Sequence, residues 1–394
     1  MRKIAFNLQP LASSKLTGIG TYAREVAKRL GPNLEKGDYA KVEIHVFDFL
    51  RRNGGVDFVR QHADKPVADM PFRESRLMPL GAYIRLGNLG RIIPYEKLLH
   101  TQNDITVFFN YLVPMGLQGK TIITVYDMVC ARYPETMDKK NKRLLTKYLP
   151  LSCEKADKII TISEFSKREI MDCLKVPEDK IMVAYCGVNK KVYCPFKDAK
   201  QAENTRARVS KKWKTGDEFI LYLGTLEPRK NVGTLVEAFE KVKETHPDAK
   251  LVIGGGLGWH YEPILERINH SPFKDDIIRT GYLSESDKID LYRAANVFVF
   301  PSLYEGFGLP VLEAMACGTP VITSDCSSLP EVVGDAGWLA DPKDANDFAE
   351  KVNIVLDGKY DSAQLAEKMQ SQVKKFSWNN TTIAYGQAIY DVIK

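Results

Sequence analysis

The sequence has little cysteine and little histidine, and neither residue type is clustered. Seven cysteines and six histidines are spread over 394 residues, with no Cys-x-x-Cys pair among them. An odd number of scattered cysteines argues against a disulfide scaffold and predicts buried thiols in a reducing compartment. Because zinc sites need closely spaced Cys or His ligands, we expect no structural zinc.

Long hydrophobic runs are also absent. No stretch of 18 or more apolar residues occurs, which predicts that no helix spans a bilayer. The first residues, Met1–Leu8, have the pattern of a strand and lack the length and cleavage site of a signal peptide, so we expect a cytoplasmic protein. With 56 basic and 50 acidic residues the formal net charge is only +6. That excess suits anionic ligands or an acidic membrane surface but is too small to indicate nucleic-acid binding.

The chain is too long for a single core and alternates short β-branched runs with helical patterns, which predicts two α/β domains. The predicted strands are Lys3–Leu8, Val42–Phe47, Ile105–Phe109, Thr121–Tyr126, Lys158–Ile162, Ile181–Tyr185, Phe219–Leu223, Lys250–Ile253, Ile277–Thr280, Val297–Phe300 and Pro320–Thr323. The predicted helices are Gly20–Leu30, Lys140–Ala156, Glu164–Leu174, Val232–Thr245, Glu285–Ala294 and Leu309–Ala316. Several strands are almost wholly apolar, as expected for parallel strands covered on both faces.

The domain boundary is predicted in Lys190–Asp217, a polar, Lys-rich stretch without a strand pattern. We place the first domain at residues 1–192 and the second at 193–378. Two doubly wound sheets joined in this way would face a central cleft at their carboxyl edges, where such sheets bind ligands.

Residues 48–100 are the least regular part of the sequence. Five cations (Arg73, Arg76, Arg85, Arg91 and Lys97) alternate there with apolar side chains. This pattern is typical of a helical insertion that packs on the core. The alternative is a surface, residues 73–97, that touches anionic lipid or holds an acceptor.

The most informative motif runs from Glu305 to Glu313 and sets two carboxylates eight positions apart. Gly306 and Gly308 allow backbone N–H groups to approach a ligand, and Pro310 suits the first turn of a helix. The N-terminus of that helix favours an anion such as a diphosphate. Glu305 could then hydrogen-bond sugar hydroxyls and Glu313 a ribose diol, so the layout is typical of a nucleotide-sugar site.

A second motif, Leu223–Asn231, follows a predicted strand and precedes a helix. Its adjacent cations, Arg229 and Lys230, could clamp a diphosphate and neutralise the charge that builds on it when a glycosidic bond breaks. The alternative is a solvated surface turn. The position at a strand end, in the same half of the chain as Glu305, favours the functional interpretation.

Two further turns are weaker signals. Gly18 and Gly20 follow the first strand and open the first long helix, where they could admit a phosphate or form a plain tight turn. The dinucleotide fingerprint is excluded because the third glycine is missing. Tyr126 and Asp127 end a buried strand, so Asp127 is expected to face the cleft or to form a turn. Gly281 and Tyr282 follow another strand and could contact a nucleobase.

Together these motifs resemble glycosyltransferase family 4, the large group of retaining nucleotide-sugar enzymes with the GT-B fold. The resemblance covers nearly the whole chain, and the Glu-x7-Glu motif followed by Ala-Cys-Gly-Thr-Pro is its most specific element. It implies two Rossmann-like domains, with the acceptor on the first and the donor on the second. It also implies that the last helix, residues 379–394, packs back on the first domain.

The resemblance further implies the roles of individual residues. Arg229 and Lys230 would bind the diphosphate, Glu305 would contact the donor sugar near the reacting carbon, and Glu313 would hold the ribose. The predicted catalytic residues are Glu305, Arg229, Lys230, Asp127 and Tyr126. The predicted donor-binding residues are Gly18, Gly20, Gly224, Gly281, Tyr282, Phe307, Gly308, Leu309 and Glu313. The resemblance implies a nucleotide-sugar co-substrate but no metal and no bound cofactor, because cations and the helix N-terminus neutralise the diphosphate.

The chain departs from the family pattern at Tyr126, where many members have histidine. Tyrosine keeps the backbone carbonyl and a hydroxyl donor but offers no base near neutral pH. Since the leaving phosphate can act as the base, we expect Tyr126 to serve as a group that orients the sugar.

The sequence therefore predicts a retaining, metal-independent hexosyltransferase that acts in cell-surface polysaccharide synthesis, with GDP-mannose as the suggested donor and a glycan or lipid-linked acceptor. The alternatives are a GT-B protein that binds a nucleotide or glycan without turnover, and a nucleotide-sugar epimerase on the same fold.

Overall fold

The computed structural model describes residues 1–14, 16–36, 39–51, 54–87 and 93–394. These residues divide into two compact units. Unit 1 comprises Met1–Arg132, Lys139–Cys186 and Trp378–Lys394, and unit 2 comprises Tyr133–Asp138 and Gly187–Ser377. Each unit is built on one parallel sheet.

The sheet of unit 1 has seven strands in the order β3-β2-β1-β4-β5-β6-β7. Their bounds are β1 Arg2–Asn7, β2 Ala40–Phe47, β3 Phe72–Ser75, β4 Ile105–Phe108, β5 Lys120–Thr124, β6 Lys158–Thr161 and β7 Ile181–Val183. Every pairing is parallel. The chain order reverses direction between β1 and β4, and the crevice at such a switch point is where doubly wound sheets bind ligands.

The sheet of unit 2 has six strands in the order β10-β9-β8-β11-β12-β13. Their bounds are β8 Phe219–Leu223, β9 Lys250–Gly254, β10 Ile277–Gly281, β11 Val297–Phe300, β12 Val321–Ser324 and β13 Trp338–Ala340. All residues of β8, β11 and β12 are buried, which explains their continuous apolar sequences. The switch point of this sheet lies between β8 and β11.

The helices wrap both sheets and connect successive strands. In unit 1 they are α1 Gly18–Glu35, α2 Gly55–His62, α3 Lys65–Ala68, α4 Leu80–Arg85, α5 Tyr95–Leu98, α6 Val129–Arg132, α7 Lys139–Lys155 and α8 Glu164–Leu174. In unit 2 they are α9 Ala199–Trp213, α10 Val232–Val242, α11 Glu262–Asn269, α12 Glu285–Ala294, α13 Leu309–Ala316, α14 Leu329–Val333, α15 Ala345–Leu356 and α16 Ser362–Lys375. The last helix, α17, spans Trp378–Ile393 and belongs to unit 1.

Helix α17 is fixed to unit 1 by polar and aromatic contacts. Thr381 Oγ1 donates to Tyr185 O at 2.5 Å, and the hydroxyls of Thr124 and Tyr385 lie 2.7 Å apart. The Tyr385 ring is fully buried, and the Trp378 ring meets that of Tyr22 edge-on at 5.7 Å. A segment at the end of the chain therefore completes the core of the unit that begins it.

Three features of the fold differ from the sequence-based expectations. Strands β3 and β13 were not predicted, because they are short edge strands with partly exposed residues. Helix α9 lies inside the expected linker and is stabilised by its N-cap, Asp198, which accepts from Gln201 N at 2.7 Å. Tyr133–Asp138, which the boundary at 192 would assign to the first domain, belongs to unit 2, because Tyr133 packs on Tyr304 at 5.4 Å.

Within residues 73–97 the structure describes all but 88–92, so Arg91 and Ile92 lie outside the described residues. Leu80, Tyr83 and Ile84 are buried, which supports the expected helical insertion. Arg73 pairs with Glu43 at 3.1 Å and Arg76 with Glu74 at 2.7 Å. In the described parts of the chain, no helix is both long and apolar enough to cross a membrane.

Candidate active site

Two turns at the carboxyl edge of the unit 2 sheet carry the charged residues that the sequence singled out. Strand β8 ends at Leu223 and leads through Gly224 to Arg229 and Lys230, and β11 ends at Phe300 and leads to Glu305. Because β8 and β11 are neighbours at the switch point, the two turns meet. Leu303 N donates to Arg229 O at 2.9 Å, which joins them through the backbone.

Lys230 and Glu305 form a short, buried ion pair at this junction. Lys230 Nζ donates to Glu305 Oε1 at 2.6 Å, and the exposed fractions of the two side chains are 13% and 10%. The Lys230 ammonium also lies 5.2 Å from the centre of the Phe300 ring. The pair is therefore shielded from water. An electrostatic interaction is stronger in such a buried environment than at the surface.

The charges in this cluster determine the protonation of Glu305. Burial by itself raises the pKa of the carboxyl, but Lys230 and Arg229 outweigh burial and hold the pKa at about 2. Burial lowers the pKa of Lys230 against the opposing effect of Glu305. At neutral pH Glu305 is consequently an anion that can accept hydrogen bonds but cannot donate a proton.

Arg229 is engaged on several sides. Its NH2 group donates to Glu227 Oε1 at 2.6 Å and its NH1 group to Tyr304 O at 2.5 Å, with Glu305 Oε2 3.1 Å from NH1. Glu227 is buried and was not predicted. The charges of the two cations and two carboxylates cancel, so any anion that binds here has to exchange these ion pairs.

Helix α13 begins beside this cluster, as the Glu305–Glu313 motif predicts. Gly308 is its N-cap with φ +114° and, as a glycine, has no side chain to cap the first turn. A Cβ at Gly308 would lie 2.8 Å from Leu329 Cδ2, so the position requires glycine. Phe307 is buried against Phe376 at 5.4 Å, while Leu309 starts the helix. The N-terminus of a helix at a switch point is a natural anion site.

Glu313 lies one turn further into α13. Its carboxylate accepts from Lys288 Nζ at 3.0 and 3.1 Å and from the Tyr292 hydroxyl at 3.0 Å. Both partners come from α12. Neither was predicted, because they are 25 and 21 residues from Glu313 in the chain and no local spacing connects them to it.

Glycines hold the neighbouring turns of unit 2 together. Gly224 N donates to Gly254 O at 2.9 Å, and Gly255 N donates to Gly281 O at 2.9 Å. A Cβ at Gly255 would lie only 1.9 Å from Gly224 O, so no other residue fits there. Tyr282 follows Gly281 and is 66% exposed.

In unit 1 the predicted glycine turn opens α1. Thr17 is the N-cap, and its hydroxyl accepts from Gly20 N at 3.2 Å. Gly20 is crowded, because a Cβ would lie 3.0 Å from Pro10 O, whereas a Cβ at Gly18 would have no neighbour within 4 Å. The turn thus has a structural glycine and an open one.

The structure does not support the predicted role of the Tyr126 side chain. Its hydroxyl donates to Phe109 O at 3.1 Å inside unit 1, and its ring packs edge-on against Tyr22 at 5.5 Å. Burial, with Tyr385 and Cys186 adding to it, raises its pKa well above the usual 10. The carbonyl of Tyr126 accepts from Ser166 Oγ at 3.1 Å. We therefore assign Tyr126 to the core and not to sugar orientation.

Asp127, by contrast, is only half-buried. Its Oδ1 accepts from Val129 N at 3.2 Å, which is the turn-forming contact that the sequence allowed. Within the described ranges, no group of three or more His, Cys, Asp or Glu residues is arranged to hold a metal ion.

Comparison with known proteins identifies the family. Residues 16–192 match the model for Glycosyltransferase Family 4, and residues 203–376 match that for Glycosyl transferases group 1. O-antigen chain mannosyltransferase B of Escherichia coli is 32% identical over 393 residues, which cover 96% of this chain and 97% of that protein. The chain belongs to glycosyltransferase family 4.

A second relative matches a shorter part of the chain. The serotype-specific mannosyltransferase WbdA of Escherichia coli is 32% identical over 238 residues, or 58% of this chain and 28% of that protein.

Among solved structures, Anabaena Alr3699/HepE in complex with UDP and glucose has a TM-score of 0.74 at 17% identity, covering 99% of this chain and all of that one. The lipopolysaccharide outer core galactosyltransferase WaaB has a TM-score of 0.62 at 19% identity, covering 99% of each chain. The predicted fold, with two Rossmann-like domains of the GT-B type, is confirmed.

Proposed function

We propose that this glycosyltransferase is a retaining mannosyltransferase that transfers mannose from GDP-mannose to a glycan or lipid-linked acceptor during cell-surface polysaccharide synthesis. The observation that carries the proposal is the full-length similarity to an enzyme named as an O-antigen chain mannosyltransferase. The second named relative is also a mannosyltransferase. The cluster of Lys230, Glu305 and Glu313 in unit 2 supplies the groups that such a donor needs.

In this proposal the donor diphosphate displaces Glu305 from Lys230. The ammonium then neutralises the phosphate oxygens, helped by the N-terminus of α13. Arg229 keeps its contacts to Glu227 and Tyr304 and orients Glu305. Glu313 accepts from the ribose hydroxyls, and Gly281 and Tyr282 contact the base.

The reaction breaks the anomeric C–O bond, and the leaving diphosphate takes the electron pair. The sugar passes through an oxocarbenium-like state whose positive charge the ionised Glu305 stabilises. The acceptor oxygen bonds to the same face of the anomeric carbon, so configuration is retained. Its proton passes to the leaving phosphate. No step in this proposal uses a metal.

We further propose that the enzyme works at the inner face of a membrane. Residues 73–97 were the first candidates for the contact, but two of their described arginines, Arg73 and Arg76, are paired with acids. Helix α7 carries more positive charge, with six Lys or Arg residues and one Glu. This is a large local excess, because the formal net charge of the whole chain is only +6.

The charges of α7 form a stripe on its exposed side. Lys140, Arg143 and Lys147 are exposed and share one helix face because they are spaced by three and four residues. Leu151, 38% exposed, continues that face. Tyr148 of α7 donates to Arg85 O at 3.2 Å, which brings Leu86, 53% exposed, alongside. A basic stripe beside exposed leucines suits an anionic bilayer.

The membrane contact is tested by co-sedimentation with vesicles of phosphatidylcholine, with and without phosphatidylglycerol. We expect binding only to the anionic vesicles, and its loss in Arg143→Glu/Lys147→Glu. The control is Lys200→Glu/Lys211→Glu, which makes the same charge change on exposed positions of α9 in unit 2. Equal binding by both double variants would contradict the assignment to α7.

The donor is tested by thermal-shift measurements with GDP, UDP, ADP and their sugar conjugates, with and without EDTA. We expect stabilisation by GDP and GDP-mannose, unaffected by EDTA, followed by GDP release when an acceptor is added. Stabilisation by uridine nucleotides alone would overturn the choice of donor. Nucleotide binding without turnover in the presence of acceptors would favour the non-catalytic alternative. Formation of an epimerised sugar nucleotide would favour the epimerase.

A further inference from the structure

Glu313 is held by a group of side chains that the proposed reaction does not account for. Lys288 and Tyr292 stand four residues apart on α12 and therefore on one face of that helix. Both reach the same carboxylate, and Lys288 lies within 3.1 Å of its two oxygens. A bidentate contact fixes the carboxylate plane more firmly than a single hydrogen bond does.

Lys288 is itself held from the opposite side. Its ammonium lies 5.0 Å from the centre of the Tyr193 ring, a cation–π distance. Tyr193 packs edge-on against Tyr292 at 6.4 Å, and its hydroxyl donates to Glu285 Oε1 at 3.4 Å. The lysine is thus confined between an aromatic face and a carboxylate, which restricts a normally flexible side chain.

The ion pair is not needed to attach α12 to its neighbours. Thr319 Oγ1 donates to Tyr292 O at 2.5 Å in the buried interior, and Arg293 Nε donates to Cys194 O at 2.7 Å. Lys288 and Glu313 keep exposed fractions of 30% and 15%, and an ion pair that water can reach contributes little to stability. A structural role alone does not explain why Lys288 is fixed so closely.

The acceptor capacity of Glu313 indicates what the arrangement is for. An ionised carboxylate has about four acceptor positions, and Lys288 and Tyr292 occupy three. A carboxylate held in this way can accept from ligand hydroxyl groups in a fixed direction, because Lys288 and Tyr292 fix its plane. A pair of vicinal hydroxyls, as on ribose, requires such a fixed orientation.

We propose that Lys288 is a positioning residue that orients Glu313 toward the two vicinal hydroxyls of the donor ribose. This inference rests on the proposed nucleotide-sugar donor. Lys288 does not contact the reacting carbon, so its loss weakens the binding of ribonucleotides and leaves the chemical step nearly unchanged. Arginine, which can make the same bidentate contact, replaces it in part.

The experiment measures the affinities of GDP, 2′-deoxy-GDP and 3′-deoxy-GDP, and of the UDP series, by isothermal titration. For wild-type protein we expect each missing hydroxyl to weaken binding about tenfold, as for a hydrogen bond to a charged group. In Lys288→Met the ribose preference shrinks to within about threefold and KM for the donor rises about tenfold, with kcat within about twofold. Lys288→Arg recovers most of the preference.

Lys212→Met is the matched control. This substitution removes another ion pair to α12, in which Lys212 Nζ lies 2.5 Å from Asp287 Oδ1 and the lysine is 49% exposed. The Lys212→Met variant should keep the wild-type ribose preference. If Lys288→Met does not fold, as judged by circular dichroism, Lys288→Gln takes its place. An unchanged ribose preference in the folded variant overturns the role of Lys288 alone. Failure of wild-type protein to bind any nucleoside diphosphate overturns the proposed function, and this inference with it.

Discussion

Replacing Lys230 with methionine removes the ammonium that lies 2.6 Å from Glu305 Oε1. The carboxylate stays buried, with Arg229 NH1 at 3.1 Å as its nearest remaining cation. Methionine retains most of the apolar stem and leaves the packing on Phe300 nearly intact. The substitution therefore isolates the charge.

The size of the effect follows from the protonation of Glu305. Its pKa is lowered from the ordinary 4.5 to about 2, which corresponds to roughly 3 kcal/mol of folding free energy at neutral pH. Lys230 is the larger of the two favourable influences on the carboxylate. We expect Lys230→Met to lower the free energy of unfolding by about 2–3 kcal/mol near neutral pH.

The pH dependence has a definite sign. A carboxyl whose pKa is lowered by folding stabilises the protein above its unfolded value and loses that contribution as pH falls toward the folded value. The stability gap between wild type and Lys230→Met should therefore narrow as pH falls from 4.5 to about 2. Urea unfolding across this range, followed by circular dichroism, measures it.

Activity separates the stabilising role of the pair from its catalytic role. In the proposed reaction the Lys230 ammonium neutralises the leaving diphosphate, so its loss should lower kcat/KM for the donor by roughly 10²–10³-fold. Lys230→Met/Glu305→Gln should regain most of the lost stability, because no unpaired carboxylate is buried, but should stay inactive. Wild-type turnover by Lys230→Met would refute the catalytic role of Lys230. A stability gap between wild type and Lys230→Met that does not change with pH would refute the stabilising role of the ion pair.

Three further variants test other parts of the site. Glu305→Gln should reduce kcat about a hundredfold with less effect on KM, because the charge acts on the transition state; steady-state kinetics check it, and an equal change in both constants would count against it. Tyr126→Phe should keep wild-type kcat and lose about 1 kcal/mol of stability with the bond to Phe109 O; a large loss of activity would restore Tyr126 to the site. Gly255→Ala should destabilise unit 2 and abolish nucleotide binding in thermal-shift assays, because φ is +137° and the added Cβ would lie 1.9 Å from Gly224 O. The control, Gly256→Ala, should behave as wild type, because a Cβ there has no neighbour within 4 Å.

The parts of the fold that the sequence predicted well are those with buried, nearly continuous apolar strands. Strands β8 and β11 were predicted to the residue, as were helices α8, α12 and α13. The edge strands β3 and β13 escaped prediction because their residues alternate or are only three in number. Helix α9 escaped because its polar sequence has a weak apolar face and gains stability from ion pairs to α12, such as Arg208 to Asp290 at 2.7 Å.

The candidate site was predictable where its residues are close in the chain. Arg229 and Lys230 stand together, and Glu305 and Glu313 share one motif. The partners that set their charge and orientation were not predictable, because Lys288 meets Glu313 only after α12 and α13 pack. Glu227 is near Arg229 in sequence, but its burial becomes visible only in the folded turn. Tyr126 was misjudged because a strand end can point a side chain into the core as well as toward a ligand.

The Lys230–Glu305 cluster is proposed to transfer mannose from GDP-mannose with retention of the anomeric configuration. This proposal is tested most directly by incubating the purified enzyme and its Glu305→Gln variant with GDP-mannose, or with UDP-glucose, and an alkyl α-mannoside or lipid-linked oligosaccharide as acceptor. The new anomeric linkage is read by nuclear magnetic resonance. We predict an α-linked mannosyl product from the wild-type enzyme with GDP-mannose and almost none from the variant. A β-linked product, transfer only from UDP-glucose, or equal activity of the two proteins would contradict it.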